Sequence, residues 1–257
     1  MCNRLDLIKN QLRSKNIFIK EITRLNQGEN SSSYKVITEN NNYALKIYPE
    51  NIVNNRNRIK SELEFLLFLK KFKFKIVPNP VIWDKKNKWL LLSWMDGEKI
   101  SSPNKRHCEL LINFLQEIQL YKKSKYAKNI SNASEACFNL DEHINHVKFR
   151  VNFLLDNLMQ LSNFNIKIPS KIIFFIEQLH EQLKIIEETE IIKTNRKMTI
   201  EKVLSPSDVG FHNILIDGNK MNFIDFEYAG WDDPTKLICD LILQPDHNIP
   251  IKNIHIL

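Results

Sequence analysis

The chain is poor in glycine and cysteine and has no long apolar run. Its 257 residues include 5 Gly and 4 Cys. The cysteines are far apart and form no Cys-x-x-Cys pair, so the sequence indicates neither a disulfide framework nor a zinc finger. The N-terminus lacks the apolar core of a signal peptide, and no apolar run approaches the roughly 20 residues of a membrane-spanning helix. These absences predict a cytoplasmic protein with no membrane partner.

Positive charge is concentrated at the start of the chain. The first 75 residues carry 15 Lys and Arg against 7 Asp and Glu, whereas residues 76–257 are close to neutral. A basic segment can attract a nucleotide, or a nucleic acid nonspecifically. The chain has no nucleic-acid motif and no arginine-rich tail. We therefore expect no specific nucleic-acid partner, and a solvated Lys-rich surface accounts for most of these residues.

Apolar periodicity divides the chain after residue 95. Before that point, strand patterns alternate with two helical ones. The strand patterns cover 17–22, 25–36 with a central polar turn, 43–48, 80–83 and 88–94, and the helical patterns cover 5–12 and 58–72. After that point, apolar stripes with helical spacing dominate. A further helix is predicted from Pro234 to Leu243, and the stripes lie at 110–121, 138–158 and 172–186. We expect these stripes to form core.

One acidic segment carries a pattern suited to phosphoryl transfer. Residues 205–215 read SPSDVGFHNIL, so Asp208 is followed five residues later by Asn213, and Asp225 comes twelve residues after that. Carboxylate and amide oxygens can hold magnesium on the phosphates, and a carboxylate can take a hydroxyl proton. We predict Asp208 as the catalytic base and Asn213 and Asp225 as magnesium ligands. A solvated loop before a hairpin would explain the Asp-x4-Asn spacing alone.

The longer run is more specific and resembles the aminoglycoside phosphotransferase and choline kinase group of the protein-kinase-like superfamily. The string DFEY at 225–228 resembles choline and ethanolamine kinases, and AGWDDP at 229–234 resembles bacterial phosphotransferases of the aminoglycoside type. The resemblance departs at Pro206, where the family usually has a His that supports the catalytic loop. Relatives generally continue past the equivalent of Leu257 with further helices, so the resemblance implies a chain that is short at its C-terminus.

The resemblance implies an α+β, two-lobed protein-kinase-like fold. Residues 1–95 would form a nucleotide-binding lobe with a small antiparallel β-sheet and one helix. Residues 96–257 would form a mainly helical lobe with the catalytic and metal-binding loops. The implied activity is transfer of the γ-phosphate of ATP or GTP, with Mg²⁺, to a hydroxyl of an amino alcohol, an amino sugar or another sugar. A non-catalytic nucleotide-binding or scaffolding protein of the same fold is the alternative.

Lys46 and Glu62 are predicted to act together in the first lobe. The strand around Lys46 resembles the Val-Ala-Ile-Lys strand of kinases, whose Lys contacts the phosphates. Glu62 shares the apolar face of the helix at 58–72, where a carboxylate needs a cation. Lys46 is the natural partner, as in the kinase Lys–Glu pair. Glu64 is the alternative acid, although it points elsewhere on the helix.

Further nucleotide contacts follow from the resemblance. The polar turn with Gly28, Asn30 and Ser31 resembles the phosphate-binding loop of small-molecule kinases, although taken alone it reads as an ordinary hairpin. The strand that ends at 93–95 would supply the adenine-binding hinge. Its members are Ser93, Trp94 and Met95.

Two expectations concern the end of the chain. Asp240 would brace the catalytic loop by hydrogen bonds, a role that gains weight because Pro206 replaces the usual His. Residues 225–246 also carry six acids against one Lys. Together with Tyr228 and Trp231, the surplus acids could receive a cationic amine. A capped, solvated loop explains the same residues equally well.

Overall fold

In the computed structural model, the described residues are 4–27, 31–49, 57–100, 102–163, 169–195 and 198–244. They belong to two compact units. The first combines residues 1–134 with residues 203–257, and the second comprises residues 135–202. The division after residue 95 stays a prediction.

The first part of the larger unit is a five-stranded antiparallel sheet with two helices, one more than the resemblance implied. The elements are α1 (Arg4–Ser14), β1 (Glu21–Gln27), β2 (Ser32–Ile37), β3 (Asn42–Ile47), α2 (Arg58–Lys71), β4 (Pro80–Asp84) and β5 (Trp89–Ser93). The strand order β1-β2-β3-β5-β4 places β3 in the centre. Lys46 lies opposite Ser33 on one neighbouring strand and opposite Leu90 on the other. A central strand cannot shift register without moving both neighbours, so the position of Lys46 is well defined.

The rest of the larger unit combines short strands with two helices. The elements are β6 (Glu98–Lys99), α3 (Lys105–Leu120), β7 (Val203–Ser205), β8 (Ile214–Asp217), β9 (Lys220–Phe223), β10 (Gly230–Asp232) and α7 (Pro234–Ile242). Strands β8 and β9 form a hairpin beside β6, while β7 pairs with β10. The segments 206–213 and 224–229 connect these strands, so the two ladders fix the ends of both acidic segments.

One apolar core extends from α2 to the acidic segments. Phe65 of α2 stacks on Phe226, with ring centroids 5.6 Å apart. Phe114 of α3 stacks on Phe223, with centroids 3.9 Å apart. These four rings are buried. Aromatic pairs of this kind add about 0.5–1.5 kcal/mol beyond the buried area, and they hold residues 223–226 against both helices.

The smaller unit is built on helices α4 (Leu140–Asn163), α5 (Ser170–Glu188) and α6 (Glu190–Asn195). Helices α4 and α5 pack against each other. Ile144 and Val151 of α4 are buried, as are Ile176 and Leu183 of α5. The prediction that the whole stripes form core is wrong, because a pair of helices buries only one seam. Stripe members on the flanks are exposed, namely Val147, Leu154, Ile172 and Ile186.

Most element boundaries match the sequence prediction. The strand predicted at 17–22 is the exception, because the strand begins at Glu21 and residues 17–19 have no regular structure. Ile17, Ile19 and Ile22 pack on the core that contains Ile8 and Leu12 of α1, so a loop that covers the sheet carries the same apolar pattern as a strand. Within the described residues, no helix has the length and apolarity that crossing a membrane requires.

Candidate active site

The centre of the candidate site is a buried ion pair. Lys46 Nζ donates to Glu62 Oε2 over 2.6 Å. The two side chains are 7% and 0% exposed, so neither charge would be tolerated there alone. The pairing predicted from the sequence is therefore present, and Glu64 instead accepts a hydrogen bond from Ser131 Oγ.

Two more groups hold the Glu62 carboxylate in place. Tyr48 Oη donates to Oε2 over 2.5 Å. The Phe226 backbone N–H donates to Oε1 over 3.4 Å. Burial and the Glu62 charge raise the pKa of Tyr48 well above its usual value, so its hydroxyl stays a donor. Because Phe226 follows Asp225, helix α2 is tied directly to the predicted metal-binding segment.

Asp225 also reaches the Lys46 ammonium, with Oδ1 2.8 Å from Nζ. Burial lowers the pKa of Lys46, but the charges of Asp225 and Glu62 raise it more, so the net pKa is raised and the ammonium is charged. The Asp225 backbone has φ +66°. Among residues other than Gly, Asp and Asn tolerate this left-handed conformation best, which helps to explain an Asp at this turn.

Glu227 is an additional acid that we did not assign from the sequence. It is buried, with Oε2 3.9 Å from Lys46 Nζ and Oε1 3.8 Å from an Arg58 nitrogen. Burial raises its pKa to about 7, since Lys46 and Arg58 offset only part of that effect. Carboxylate oxygens of Glu62, Asp225 and Glu227 lie within 4.8 Å of one another. The Lys46 ammonium contacts this acidic cluster.

Asp208 accepts hydrogen bonds on both carboxylate oxygens. Gln244 Nε2 donates to Oδ1 over 2.7 Å. Asn213 Nδ2 lies 3.3 Å from Oδ2, and His212 Nε2 lies 3.4 Å from the same oxygen. Burial raises the pKa of Asp208, but these hydrogen bonds and His212 lower it more, so the net pKa lies below its usual value. The carboxylate is therefore ionised near neutral pH and fixed in orientation.

Asn213 connects the two acidic segments. Its Nδ2 donates to the Asp208 backbone oxygen over 3.0 Å. Its backbone oxygen accepts from the Ile224 N–H over 2.9 Å, directly before Asp225. Because the amide nitrogen is used by Asp208, the amide oxygen is the atom left for a metal ion. Carboxylate and amide oxygens are ligands that fit Mg²⁺.

The loop before Asp208 is held from helix α7. Lys236 Nζ donates to Ser207 Oγ over 3.3 Å, to Asp232 Oδ2 over 2.9 Å and to Asp240 Oδ2 over 2.6 Å. Asp240 was expected to brace the loop itself. In the structure Asp240 holds Lys236 and Lys236 contacts the loop, and direct bracing of the loop by Asp240 stays a prediction.

The predicted hinge residues lie at the end of β5. The Ser93 N–H donates to the Asn79 oxygen over 2.9 Å, and the Trp94 N–H donates to the Asn42 oxygen over 3.3 Å. The Trp94 ring lies under the Lys35 ammonium at 4.6 Å. Met95 is half-buried and follows directly. The contact of Ser93, Trp94 and Met95 with adenine stays a prediction.

The predicted phosphate turn is only partly described. Gly28 and Asn30 lie outside the described residues. Ser31 directly precedes β2, whose first residue, Ser32, lies opposite Ile47. Ser31 is therefore close to the Lys46 end of β3, and its contact with phosphate stays a prediction.

A sequence profile of the phosphotransferase enzyme family matches residues 21–241. The chain belongs to that family. The matched segment contains the residues of the ion pair and of both acidic segments, from Lys46 to Asp240. A search of curated protein sequences finds no significant match.

The chain has the protein-kinase-like fold that the resemblance implies. It is similar to the solved structure of choline kinase LicA from Streptococcus pneumoniae, with a TM-score of 0.63 and 15% identity, covering 98% of this chain and 78% of that one. The solved structure of a gentamicin complex of APH(2'')-IIa matches with a TM-score of 0.55 and 18% identity, and the match covers 93% of this chain and 75% of that one. The structure of spectinomycin phosphotransferase APH(9)-Ia bound to ADP and spectinomycin matches with a TM-score of 0.58 and 14% identity. That match covers 90% of this chain and 71% of the other.

The acids after Asp225 that the structure describes have partners within the chain itself, whereas Asp246 lies outside the described residues. Asp232 pairs with Lys236, and Asp233 caps helix α7 by accepting from the Thr235 N–H. The Tyr228 ring faces Arg58 at 5.5 Å, and Trp231 Nε1 donates to the Ala127 oxygen. These contacts favour a structural role over a site for a cationic amine.

Two further residues of the site have weak signals in the sequence, and a third has none. Glu227 stands next to a predicted ligand, and its alternation with Asp225 could have suggested burial. Lys236 is the one basic residue in an acidic stretch and is spaced four residues from both Asp232 and Asp240, which is a recognisable helical pattern. Gln244 carries no local signal, because its contact with Asp208 spans 36 residues.

Proposed function

We propose that the chain transfers the γ-phosphate of ATP or GTP to a hydroxyl group of a small molecule, with Mg²⁺. The observation that carries this proposal is the joining of two charged centres. Lys46, Glu62 and Asp225 form one centre, and Asp208 and Asn213 form the other. The Ile224–Asn213 backbone hydrogen bond connects them. Membership of the phosphotransferase family supports the reaction class.

The first lobe would bind the nucleotide. Lys46 would contact the α and β phosphates, and Glu62 would orient it from its buried position. The turn at Gly28, Asn30 and Ser31 would cover the phosphates with backbone N–H groups. Ser93, Trp94 and Met95 would meet the adenine. Binding the phosphates requires Lys46 to exchange part of its contact with Asp225 for contact with phosphate oxygen.

Asn213 and Asp225 would hold the magnesium ion, which when bound neutralises charge on the phosphates. The donor set fits this ion, since an amide oxygen and a carboxylate oxygen lie on segments joined by a backbone hydrogen bond. Glu227 is the nearest further carboxylate. Its contact with Arg58 and its burial suggest a supporting role, in which it balances the charges of Lys46 and Arg58.

Asp208 would orient the acceptor hydroxyl and accept its proton. A low pKa keeps the carboxylate ready as an acceptor, and the amides of Gln244 and Asn213 prevent it from rotating. Positioning is the larger part of catalysis in this reaction class, because the transferred group needs little covalent assistance. We expect the reaction in the cytoplasm, where the nucleotide and magnesium are available.

The acceptor class is a small hydroxyl compound. The solved relatives include a choline kinase and enzymes bound to gentamicin or spectinomycin, so amino alcohols and amino sugars belong in the first screen. Neutral sugars belong beside them, because Asp232 and Asp233 already have partners in this chain.

The test combines nucleotide binding with an acceptor screen. Thermal unfolding would be followed with ATP or GTP, with and without Mg²⁺, and then transfer would be measured against amino alcohols, amino sugars and neutral sugars. Asp208→Asn is the matched control. It keeps the shape but cannot take the proton, so transfer should fall by about 10²–10⁴-fold while nucleotide binding persists. Comparable turnover of the variant and the wild type would remove Asp208 from its role.

The alternative of a nucleotide-binding scaffold gives a different result in the same experiment. Such a protein would be stabilised by magnesium–nucleotide and would transfer phosphate to no acceptor. An absence of nucleotide binding would contradict both functions.

A further inference from the structure

The residue directly before the proposed base has an unusual backbone. Ser207 has φ +65°, the left-handed region that favours Gly. Its N–H donates to Ser205 Oγ over 2.8 Å, and its backbone oxygen accepts from the Val209 N–H over 2.7 Å. Ser205, Ser207 and Val209 are all buried. This tight turn sets the direction in which Asp208 leaves the chain.

The side chain of Ser207 is contacted by a sequestered ammonium group. Lys236 is 16% exposed, and its Nζ lies between the carboxylates of Asp232 and Asp240 while also donating to Ser207 Oγ. Asp232 is fully buried and lies at the end of β10, which pairs with β7. Strand β7 ends at Ser205, two residues before Ser207. The ammonium therefore joins helix α7 to the middle of the turn through Ser207, and to the strand that pairs with β7 through Asp232.

We propose that Lys236, held by Asp232 and Asp240, is a positioning residue that keeps Ser207 in its left-handed conformation and thereby aims the Asp208 carboxylate. It acts through the Ser207 hydroxyl and touches neither substrate nor metal. The proposal rests on the proposed function for its catalytic consequence, but its structural part can be measured without any activity.

The position of Pro206 explains why such a support is needed. A ring nitrogen without N–H cannot donate a hydrogen bond, and the proline side chain offers no polar group. Nothing at position 206 can therefore fix the loop by a side-chain hydrogen bond. Lys236 supplies a charged donor from another element, and its two Asp partners fix the direction of the ammonium.

The test measures amide hydrogen exchange within 203–210 together with turnover. Replacing Lys236 alone would leave Asp232 as a buried unpaired charge, so the main variant is Asp232→Asn with Lys236→Met. The exposed Lys220→Met is the control for replacing a Lys by Met away from the turn. We expect the Ser207 and Val209 amides to exchange at least about tenfold faster in the main variant. Amides of α3 and of the β8–β9 hairpin should keep their protection, and Lys220→Met should match the wild type.

A second comparison separates positioning from general destabilisation. Ser207→Gly removes the hydroxyl but adopts positive φ readily. In that background, the Asp232→Asn/Lys236→Met change should have no further effect on exchange of the Val209 amide. Lys236→Arg should retain at least part of the protection. Equal acceleration in both backgrounds, or acceleration spread over the whole unit, would overturn the proposal.

Turnover gives the third readout. If the wild type is active, kcat should fall by at least about tenfold in the main variant, while the nucleotide-induced thermal shift stays the same. Faster exchange of the loop with unchanged kcat would overturn the positioning role. If the wild type transfers phosphate to no acceptor, the proposed function fails, and the exchange measurements alone decide whether Lys236 holds Ser207.

Discussion

The Lys46 ammonium lies 2.6 Å from the Glu62 carboxylate, which is fully buried. The same ammonium lies 2.8 Å from Asp225, and Glu62 in turn accepts from the Phe226 N–H. The pair is thus part of a closed set of contacts that includes strand β3, helix α2 and the segment after β9. A change at any one member should be felt at the other two.

Lys46 and Glu62 should therefore be strongly coupled in nucleotide binding. Glu62→Gln keeps the side-chain shape but removes the charge that orients Lys46, so nucleotide affinity should fall although Glu62 touches no phosphate. Adding Glu62→Gln to Lys46→Ala should lower the nucleotide affinity little further. A double-mutant cycle by calorimetry should give a coupling free energy of about 0.5–3 kcal/mol. Additive effects in variants that remain folded would contradict the link.

Asp225→Asn should abolish the magnesium dependence of nucleotide binding. Asn tolerates the φ of +66° at this position, so the change removes charge without adding the backbone strain that Ala would bring. Affinity for ATP should then be the same with and without Mg²⁺ in calorimetric titrations. Unchanged magnesium–ATP affinity relative to the wild type would show that the metal is held elsewhere.

Gln244→Leu should slow transfer without weakening nucleotide binding. The amide of Gln244 donates to Asp208 Oδ1 over 2.7 Å, and a hydrogen bond to a charged group contributes about 1.5–3 kcal/mol. Its loss lets the carboxylate rotate, so kcat should fall about 10- to 100-fold in steady-state kinetics. A rise in kcat would mean that Gln244 competes with the acceptor hydroxyl, which would contradict an orienting role.

Asp84→Asn should destabilise the protein near neutral pH but not in strong acid. Burial raises the pKa of Asp84, but hydrogen bonds from Asn87, Gln11 and Lys86 lower it more. A carboxylate whose pKa is lower in the folded than in the unfolded state stabilises the fold at pH values above its unfolded pKa of 3.8. It loses that contribution as the pH falls through the folded pKa.

The free energy of unfolding of the variant, measured with denaturant at pH 7, should be about 1 kcal/mol lower than that of the wild type. This difference in free energy should shrink below about pH 3. The effect reports on the attachment of α1, because Gln11 joins Asp84 to the Trp89 indole. A difference that stays constant from pH 7 to pH 2.5 would show that the Asp84 charge has no part in it.

The sequence alone determined the architecture and most of the proposed site. Alternating apolar residues placed β3, a nearly continuous apolar run placed β5, and helical spacing put Glu62 on the buried face of α2, because these periods follow directly from backbone geometry. The order and types of Asp208, Asn213 and Asp225 indicated the chemistry, because carboxylate and amide oxygens suit magnesium and proton transfer and because the run resembles a known kinase group.

Tertiary structure alone decided how those residues are held. Gln244 reaches Asp208, and Lys236 reaches Ser207, across 36 and 29 residues. Asp232 and Asp233, which the sequence offered for an amine, are instead used in the packing of α7. Local periodicity indicates which face of an element is apolar. It carries no information on which distant polar side chain will contact a given residue. That choice depends on the packing of the whole chain, which fixes the partner of each buried charge.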